Sequence, residues 1–350
     1  MIQTEFDGKK NYGCFLWGCG GCMLASLLTL VVIAGISAAI YMAWQPISKK
    51  KRQLDSSIDM EVVKGFDRGS DRYIALIPVH GIIMYGDKNG GTVSPEVFSE
   101  MMDQAENDSD NAAVIVSIDS PGGEVNAADE IYRRILAFRK KTGRPVVALM
   151  RSVAASGGYY VAAGCDKIVA GEMSLTGSIG VIISTYNFSG LLDMIGIEGE
   201  TYKSGRMKDM LSPVRKRTKE EVALVQELVD ECYQGFAGIV SKARKIPLEK
   251  ITSGPVGDGR VYHGKKALEY GMIDELGYLE DAVALCEKTL NLEKDSLSVI
   301  RFEQSPTLLE MLLGADSPFR NGLKVNVAIP GSKLTVQLEP GKLYYLPAGL

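Results

Sequence analysis

The chain has 350 residues, of which 46% are hydrophobic and 23% are charged, and its formal net charge at pH 7 is −4. This composition is typical of a folded globular protein and argues against an intrinsically disordered chain. The acidic balance argues against nucleic acid as a partner, because binding to phosphates needs an excess of Lys and Arg. The length suits one large domain or two small ones.

An uncharged apolar segment without proline runs from Cys22 to Trp44. A helix needs about 20 such residues to cross the hydrocarbon core of a bilayer. Aromatic residues flank the segment, as is typical of a membrane interface: Phe15, Trp17, Tyr41 and Trp44. The alternative is a cleaved signal peptide, but no A-x-A-like cleavage site precedes Gln45. The segment therefore predicts a retained single-pass anchor in membrane lipid.

The six cysteines fall into two groups. Cys14, Cys19 and Cys22 cluster at the entry to the apolar segment, but no fourth Cys or His is near enough to complete a metal site. They are interpreted as small residues at the membrane boundary, with S-acylation as the alternative. The other three are scattered, which argues against a disulfide framework: Cys165, Cys232 and Cys286. No metal or cofactor is expected.

Alternating strands and helices follow a polar stretch. The chain is divided into an N-terminal tail at 1–21, a transmembrane helix at 22–44, a linker at 45–71, a folded domain at 72–295 and a C-terminal extension at 296–350. Apolar runs predict strands at 73–80, 113–118, 145–150 and 167–170. Helices are predicted at 94–107, where Ser94 is the N-cap, at 126–141, and at about 218–245, where Thr218 and Glu221 form a capping box. This order predicts an α/β domain with a parallel sheet and helices on both faces.

Two glycine-rich turns lie at the carboxyl ends of predicted strands, where ligands bind in such sheets. The first is 119–123, and its glycines leave backbone N–H groups accessible. In the second, Ser156 lies at a strand-to-helix corner with Gly157 behind it, which together supply a nucleophile and an oxyanion donor. Each turn also has a purely structural interpretation, as a tight turn or as a helix cap.

A nucleophilic serine needs a base to take its proton. The chain has only two histidines, His80 and His263, and both are interpreted as polar residues at the ends of elements. A lysine is the alternative, provided that burial lowers its pKa enough to make it neutral. The candidates are Lys203 and Lys208, and local sequence does not choose between them.

Four motifs occur in order: SPGG at 120–123, AASGGYY at 154–160, LTGSIGV at 175–181 and YKSGRMKDMLSP at 202–213. Together they resemble the signal peptide peptidase A family of membrane-bound Ser–Lys proteases. That family shares its fold superfamily with the caseinolytic proteases and the crotonases. The resemblance covers about 75–277 and implies a ring-like homo-oligomer in which neighbouring subunits supply the serine and the lysine.

Residue by residue, the resemblance implies that Ser156 is the nucleophile and Lys208 the general base, with Lys203 as the second choice. It implies that Ser178 orients the lysine amine, and that the backbone N–H groups of Gly123 and Gly157 form the oxyanion hole. The reaction expected is acyl transfer from a peptide to Ser156, followed by hydrolysis of the acyl-enzyme.

The expected substrates are hydrophobic peptides near the membrane, such as remnants of signal peptides. The resemblance implies a catalytic domain outside the cytoplasmic membrane, whereas the basic run 49–52 would place it in the cytoplasm. The alternatives are a crotonase-type acyl-CoA enzyme and a non-catalytic scaffold. The apolar end, LYYLPAGL, is interpreted as a terminal strand, or else as a segment that lies in a substrate groove.

Overall fold

The computed structural model describes residues 58–64, 72–86 and 91–304, together with the backbone of three short strands beyond them. The strands of the main sheet are β1 (Ile58–Lys64), β2 (Tyr73–His80), β5 (Asn111–Ser120), β7 (Val146–Ala155), β8 (Lys167–Ala170), β9 (Leu175–Gly177), β10 (Val261–His263), β11 (Glu275–Leu276) and β12 (Ser298–Gln304).

The main sheet has the order β1-β12-β2-β5-β7-β8-β11, and every neighbouring pair from β12 to β11 is parallel. β1 is antiparallel to β12 at one edge. Near its carboxyl end β7 leaves β8 and pairs with β9, so that Ala155 lies opposite Gly177. The predicted parallel α/β sheet is therefore confirmed, and the end of β7 is held between two partners.

Eight helices are described: α1 (Pro95–Asn107), α2 (Val125–Thr142), α3 (Gly157–Ala162), α4 (Ser189–Met194), α5 (Lys219–Arg244), α6 (Leu248–Thr252), α7 (Gly264–Glu269) and α8 (Leu279–Thr289). The predicted caps are present. The Val97 N–H donates to the Ser94 hydroxyl at 3.3 Å, and Thr218 and Glu221 form the capping box of α5. These bonds satisfy N–H groups that the first turn of a helix leaves free.

Helices cover both faces of the sheet, as the apolar strands require. On one face α1, α2, α3 and α5 pack against β2 and β5 through buried residues such as Phe98, Phe138 and Phe236. On the other face α8 covers the amino-terminal half of the strands with Val283 and Cys286. Cys165, Cys232 and Cys286 are free thiols, and burial raises the pKa of Cys286 to about 12.

A second, smaller sheet lies at the carboxyl end of β5. It contains β3 (Ile82–Ile83), β4 (Thr92–Val93), β6 (Gly123–Glu124) and β15 (Tyr344–Tyr345), in the order β15-β6-β3-β4. β15 runs antiparallel to β6, with Tyr345 opposite Gly123. β13 (Asn326–Ala328) and β14 (Thr335–Gln337) form a separate antiparallel pair.

Two strands of the main sheet lie outside the predicted folded domain 72–295. β1 falls within the predicted linker 45–71, where Ile58 is buried and the four residues after it are exposed. β12 falls within the predicted extension 296–350 and contributes the buried Phe302 to the core. The predicted anchor at 22–44 lies outside the described residues. Within the part of the chain that is described, no helix is both long and apolar enough to cross a membrane.

Candidate active site

Ser156 lies at the corner between β7 and α3. Its φ of 54° and ψ of −115° are strained for a residue with a side chain, and such strain costs about 1–3 kcal/mol. The corner is fixed by two backbone bonds, from the Ser156 N–H to the Gly177 carbonyl at 2.8 Å and from the Tyr160 N–H to the Ser156 carbonyl at 2.9 Å. A strained serine at a strand-to-helix corner is the arrangement found at nucleophile elbows.

The hydroxyl oxygen of Ser156 is buried and has no hydrogen-bond partner among the described residues. A buried hydroxyl without a partner costs about 1–3 kcal/mol, so such groups are rare in folded proteins. This cost indicates that the Ser156 hydroxyl has a function, namely to interact with a molecule that binds at this position.

Glycines allow the two predicted oxyanion segments to approach other backbone closely. A Cβ on Gly123 would lie 1.8 Å from the carbonyl oxygen of Ile83, and a Cβ on Gly158 would lie 2.7 Å from that of Ser120. Both contacts are shorter than atoms tolerate, so only glycine fits at either position. The backbone at Gly123 and at Gly158 is therefore packed without room for a side chain.

The substitution Gly158→Ala is expected to destabilise the fold by about 1–3 kcal/mol, because the added methyl group must displace the Ser120 carbonyl. The same displacement moves the corner at Ser156, so any reaction in which Ser156 is the nucleophile should slow as well. Thermal denaturation and activity of the variant would measure both effects. Gly190→Ala is the matched control, since a Cβ at Gly190 meets no atom within 4 Å. Equal stability of the two variants would contradict the prediction.

Ser178 lies beside Ser156, because it directly follows Gly177, the residue that binds the Ser156 N–H. Ser178 is buried, and its φ of 50° makes it a second residue with a side chain in the left-handed region. Its N–H donates to the carbonyl of Arg260 at 2.8 Å. The structure thus brings two of the predicted site residues together on adjacent chain segments.

Lys208 makes no hydrogen bond to Ser156 among the described residues. It lies in an irregular turn where its N–H donates to Gly205 at 3.1 Å, and its side chain is exposed. Lys203 is also exposed, and its amine binds Asp209 and the carbonyl of Arg206. Neither lysine hydrogen-bonds to the buried hydroxyl of Ser156.

The turn belongs to a segment, 182–217, which we term the arm. Large apolar side chains are exposed along it, among them Tyr186 at 74%, Met194 at 81% and Tyr202 at 91% of their surface. The arm contains α4 and leads into α5, whose Val222, Leu224 and Leu228 are also exposed. Exposed apolar surface of this extent is typical of a surface that binds another protein.

Neither histidine takes part in the site. The His80 ring lies 3.1 Å from the Ser117 hydroxyl, and the loss of solvent around the ring lowers its pKa. The His263 ring lies 3.2 Å from the carbonyl of Met173. A cavity of about 670 Å³ is lined by His80, Ser117, Arg151 and others, but not by Ser156, Ser178 or Lys208.

The sequence did not predict that three residues form a hydrogen-bonded group around the turn of Lys208: Asp209, Arg215 and Glu221. Asp209 lies between Arg215 and Lys203, and hydrogen bonds from both hold the pKa of its carboxyl well below the usual range. Arg215 also binds Glu221, and this bond, with one from the Thr218 N–H, lowers the pKa of Glu221 to about 2. The sequence identifies Glu221 only as part of a capping box. The available signal was the high density of charged residues from Lys203 to Glu221.

Residues 138–293 match the model of peptidase family S49. A putative signal peptide peptidase SppA from Enterococcus faecium is 37% identical over 242 residues, which cover 68% of this chain and 69% of that protein. The chain belongs to peptidase family S49. A putative protease from Synechocystis is 34% identical over 252 residues, 72% of this chain and 87% of that protein.

As a member of family S49, the chain is a serine peptidase, and the predicted family resemblance is confirmed. Membership argues against the crotonase-type alternative, and measured activity would decide between an active peptidase and the scaffold alternative. Among solved structures, a point mutant of ClpP1 from Listeria monocytogenes aligns over 67% of this chain and 98% of that chain, with a TM-score of 0.40 and 14% identity. Values this low carry no inference about mechanism or assembly.

Proposed function

We propose that the chain is a membrane-anchored serine endopeptidase that hydrolyses hydrophobic peptides, such as signal peptide remnants, with a Ser156–Lys208 dyad. The observation that carries this proposal is the buried, unpartnered hydroxyl of Ser156 at a strained corner. The family supplies the reaction class, and the position of this serine indicates where the reaction takes place.

In the proposed reaction Ser156 attacks the carbonyl carbon of the peptide bond while neutral Lys208 takes the hydroxyl proton. The resulting oxyanion accepts hydrogen bonds from the N–H groups of Gly123 and Gly157. Lys208 then gives its proton to the leaving amine, and water, deprotonated by the same lysine, hydrolyses the acyl-enzyme. Ser178 orients the lysine amine throughout.

We propose that Lys208 is supplied by a neighbouring copy of the chain in a homo-oligomer. Two observations support this arrangement: Lys208 is exposed within its own chain, and the arm that carries it exposes apolar side chains. Docking the arm onto another copy would cover this surface and bring a lysine to a serine whose hydroxyl binds no base in the described part of the chain. Docking would also shield the lysine amine from water, which favours its neutral form.

Peptide substrates are proposed to bind as an extra strand beside β6, next to the oxyanion segment. Strand addition supplies affinity through backbone hydrogen bonds and depends little on side chains. The pairing of Tyr344 and Tyr345 with β6 supports this, because it places a segment of peptide at that edge. β15 therefore occupies the place where a substrate would bind.

Removing residues 339–350 is expected to lower KM for a short peptide by about tenfold, because a tethered segment competes at an effective concentration in the millimolar range. Steady-state kinetics of the full and shortened chains would measure the change. Substituting Asn326 and Val327 in β13 by alanine serves as the control, since that strand pairs only with β14. An unchanged KM after removal would contradict the prediction.

The proposed organisation keeps the tail 1–21 and the anchor 22–44. The protease domain extends beyond the predicted bounds 72–295, because β1 from the predicted linker 45–71 and β12 from the predicted extension 296–350 belong to the main sheet. The catalytic domain is proposed to lie outside the cytoplasmic membrane, where cleaved signal peptides are released. Cysteine labelling from one side of intact cells would test this placement.

The test of the dyad is hydrolysis of a fluorogenic peptide with small apolar residues by the full chain in detergent. Wild type should be active, and both Ser156→Ala and Lys208→Ala should be inactive. An active Lys208→Ala variant would transfer the role of base to another group, with Lys203→Ala as the next variant to measure.

A further inference from the structure

A network of charged side chains surrounds the backbone of the turn that carries Lys208. We term it the Asp209 network, and it consists of Lys203, Asp209, Arg215 and Glu221. Arg215 donates to both carboxylate oxygens of Asp209, from Nε to Oδ2 and from Nη2 to Oδ1, each at 2.7 Å. It also donates from Nη2 to the backbone carbonyl of Asp209 at 3.1 Å. This fork is the strongest geometry for an Arg–carboxylate pair.

The same guanidinium group joins the turn to the first turn of α5. Arg215 Nη1 donates to Glu221 Oε2 at 3.0 Å, and Nη2 binds the other oxygen of that carboxylate. Glu221 is buried and also accepts the Thr218 N–H at 2.8 Å. One side chain therefore connects the residue after Lys208 to a buried residue at a fixed helix end.

Packing alone does not hold this turn in place. No residue from 201 to 217 is fully buried, and the backbone bonds close to Lys208 are local, such as that from the Met210 N–H to the Met207 carbonyl at 3.0 Å. A longer-range backbone bond, from the Phe188 N–H to the Pro213 carbonyl at 2.6 Å, joins the end of this stretch to another part of the arm. Ion pairs on an open surface contribute little, but a forked pair with carboxylates that are mostly shielded from water holds its geometry. The side chains of Asp209 and Glu221 are 11% and 2% exposed.

The charges of the Asp209 network also affect whether Lys208 is neutral, as a general base must be. Lys203 and Arg215 carry two positive charges, and Asp209 and Glu221 carry two negative charges, so the network is balanced without Lys208. The remaining ion pair close by, Arg206 with Glu220, is balanced too, and Arg217 binds Thr185 and the carbonyl of Tyr186. A carboxylate that lost its cation beside Lys208 would favour the charged ammonium form.

We propose that Arg215 is a positioning residue for the general base: by binding Asp209 and Glu221 together it fixes the turn of Lys208 and neutralises the carboxylate next to it. This inference rests on the proposed function, in which Lys208 is the base. Arg215 touches neither substrate nor the reacting atoms, and acts through Asp209.

The test compares Arg215→Gln with Arg206→Gln in the full chain in detergent. Arg206 is the matched control, because it forks onto Glu220 in the same first turn of α5, at 2.6 Å for one bond, but does not touch Asp209. We expect Arg215→Gln to move the midpoint of the kcat/KM pH profile upward by about one unit. At a pH below the midpoint the rate should fall about tenfold, because the neutral fraction of the lysine falls by that factor.

Two further variants separate the charge effect from a loss of structure. Asp209→Asn combined with Arg215→Gln removes the unbalanced carboxylate and should return the midpoint towards the wild-type value, and Arg215→Lys should lie between the two. If Arg215→Gln does not assemble, the midpoints of the double variant and of Arg215→Lys give the answer. A midpoint in Arg215→Gln equal to that in Arg206→Gln overturns the inference. When Arg215→Gln does not assemble, a double variant whose midpoint stays about one unit above wild type overturns it, because the carboxylate then does not cause the shift.

Failure of the underlying function would give a different result. If Lys208→Ala keeps its activity, Lys208 is not the base and the proposed function fails. If Lys208→Ala is inactive while the Arg215 variants match wild type in rate and midpoint, only the role of Arg215 is wrong.

Discussion

Replacing Ser156 with alanine should reduce kcat for peptide hydrolysis by about 10⁶, the loss seen when a serine peptidase loses its nucleophile. Without the Ser156 oxygen, no tetrahedral intermediate can form on the enzyme. The oxyanion donors then have no covalent intermediate to stabilise, and kcat falls for that reason. Burst kinetics with an activated ester, together with steady-state hydrolysis of a peptide, would measure the loss. A residual rate within about tenfold of wild type would mean that another residue is the nucleophile.

Ser156→Gly is the matched control for this experiment, because it separates chemistry from strain. Glycine adopts a φ of 54° without the penalty that a side chain meets there, and it leaves no buried hydroxyl unpaired. This variant should be as inactive as Ser156→Ala but more stable than wild type by about 1 kcal/mol. If backbone strain is stored at Ser156, activity should fall while the free energy of unfolding rises.

Mixing two inactive variants should restore activity if the base comes from a neighbouring copy. A Lys208→Ala chain supplies an intact serine, and a Ser156→Ala chain supplies an intact lysine. In a ring assembled at random from equal amounts, about one quarter of the sites would pair the two, and the activity should reach about a quarter of that of wild type. Coexpression of two differently tagged chains, followed by purification on both tags, would give such mixed assemblies.

The double variant carrying both substitutions provides the control for mixing. Mixed equally with wild type, it should leave about a quarter of the activity if the dyad forms between chains, but about half if it forms within one chain. Failure of the two single variants to restore any activity, although they assemble together, would place the dyad within one chain.

The central part of the fold was predictable because its strands are buried on both faces. The runs at 73–80 and 167–170 are continuous and apolar, and the structure forms β2 and β8 at those bounds. β1 was not predictable, because only Ile58 of its first five residues is buried and the strand forms by pairing with β12, far away in the sequence. β3, β4 and β6 have two residues each, too few for a periodic pattern.

The candidate site was predictable only in part, for a similar reason. Ser156 and Ser178 meet because β7 and β9 are paired, and both lie in motifs that sequence alone identifies. In the proposed assembly the position of Lys208 depends on a second copy that covers the arm, and no pattern within one sequence predicts such a contact. The role of Arg215 was not predictable, because its partners Asp209 and Glu221 lie six residues away on either side. That spacing is typical of neither a helix turn nor a strand.

The exposed arm has a consequence for when the enzyme works. If the lysine of one copy must complete the site of another, an isolated, newly made chain is inactive. Activity then rises with the square of the chain concentration or more steeply. An anchor that confines copies to a plane then raises their local concentration and so promotes catalysis as well as fixing location. Cutting the linker would dilute the subunits and silence them without touching the site, which would confine proteolysis to places where copies are crowded.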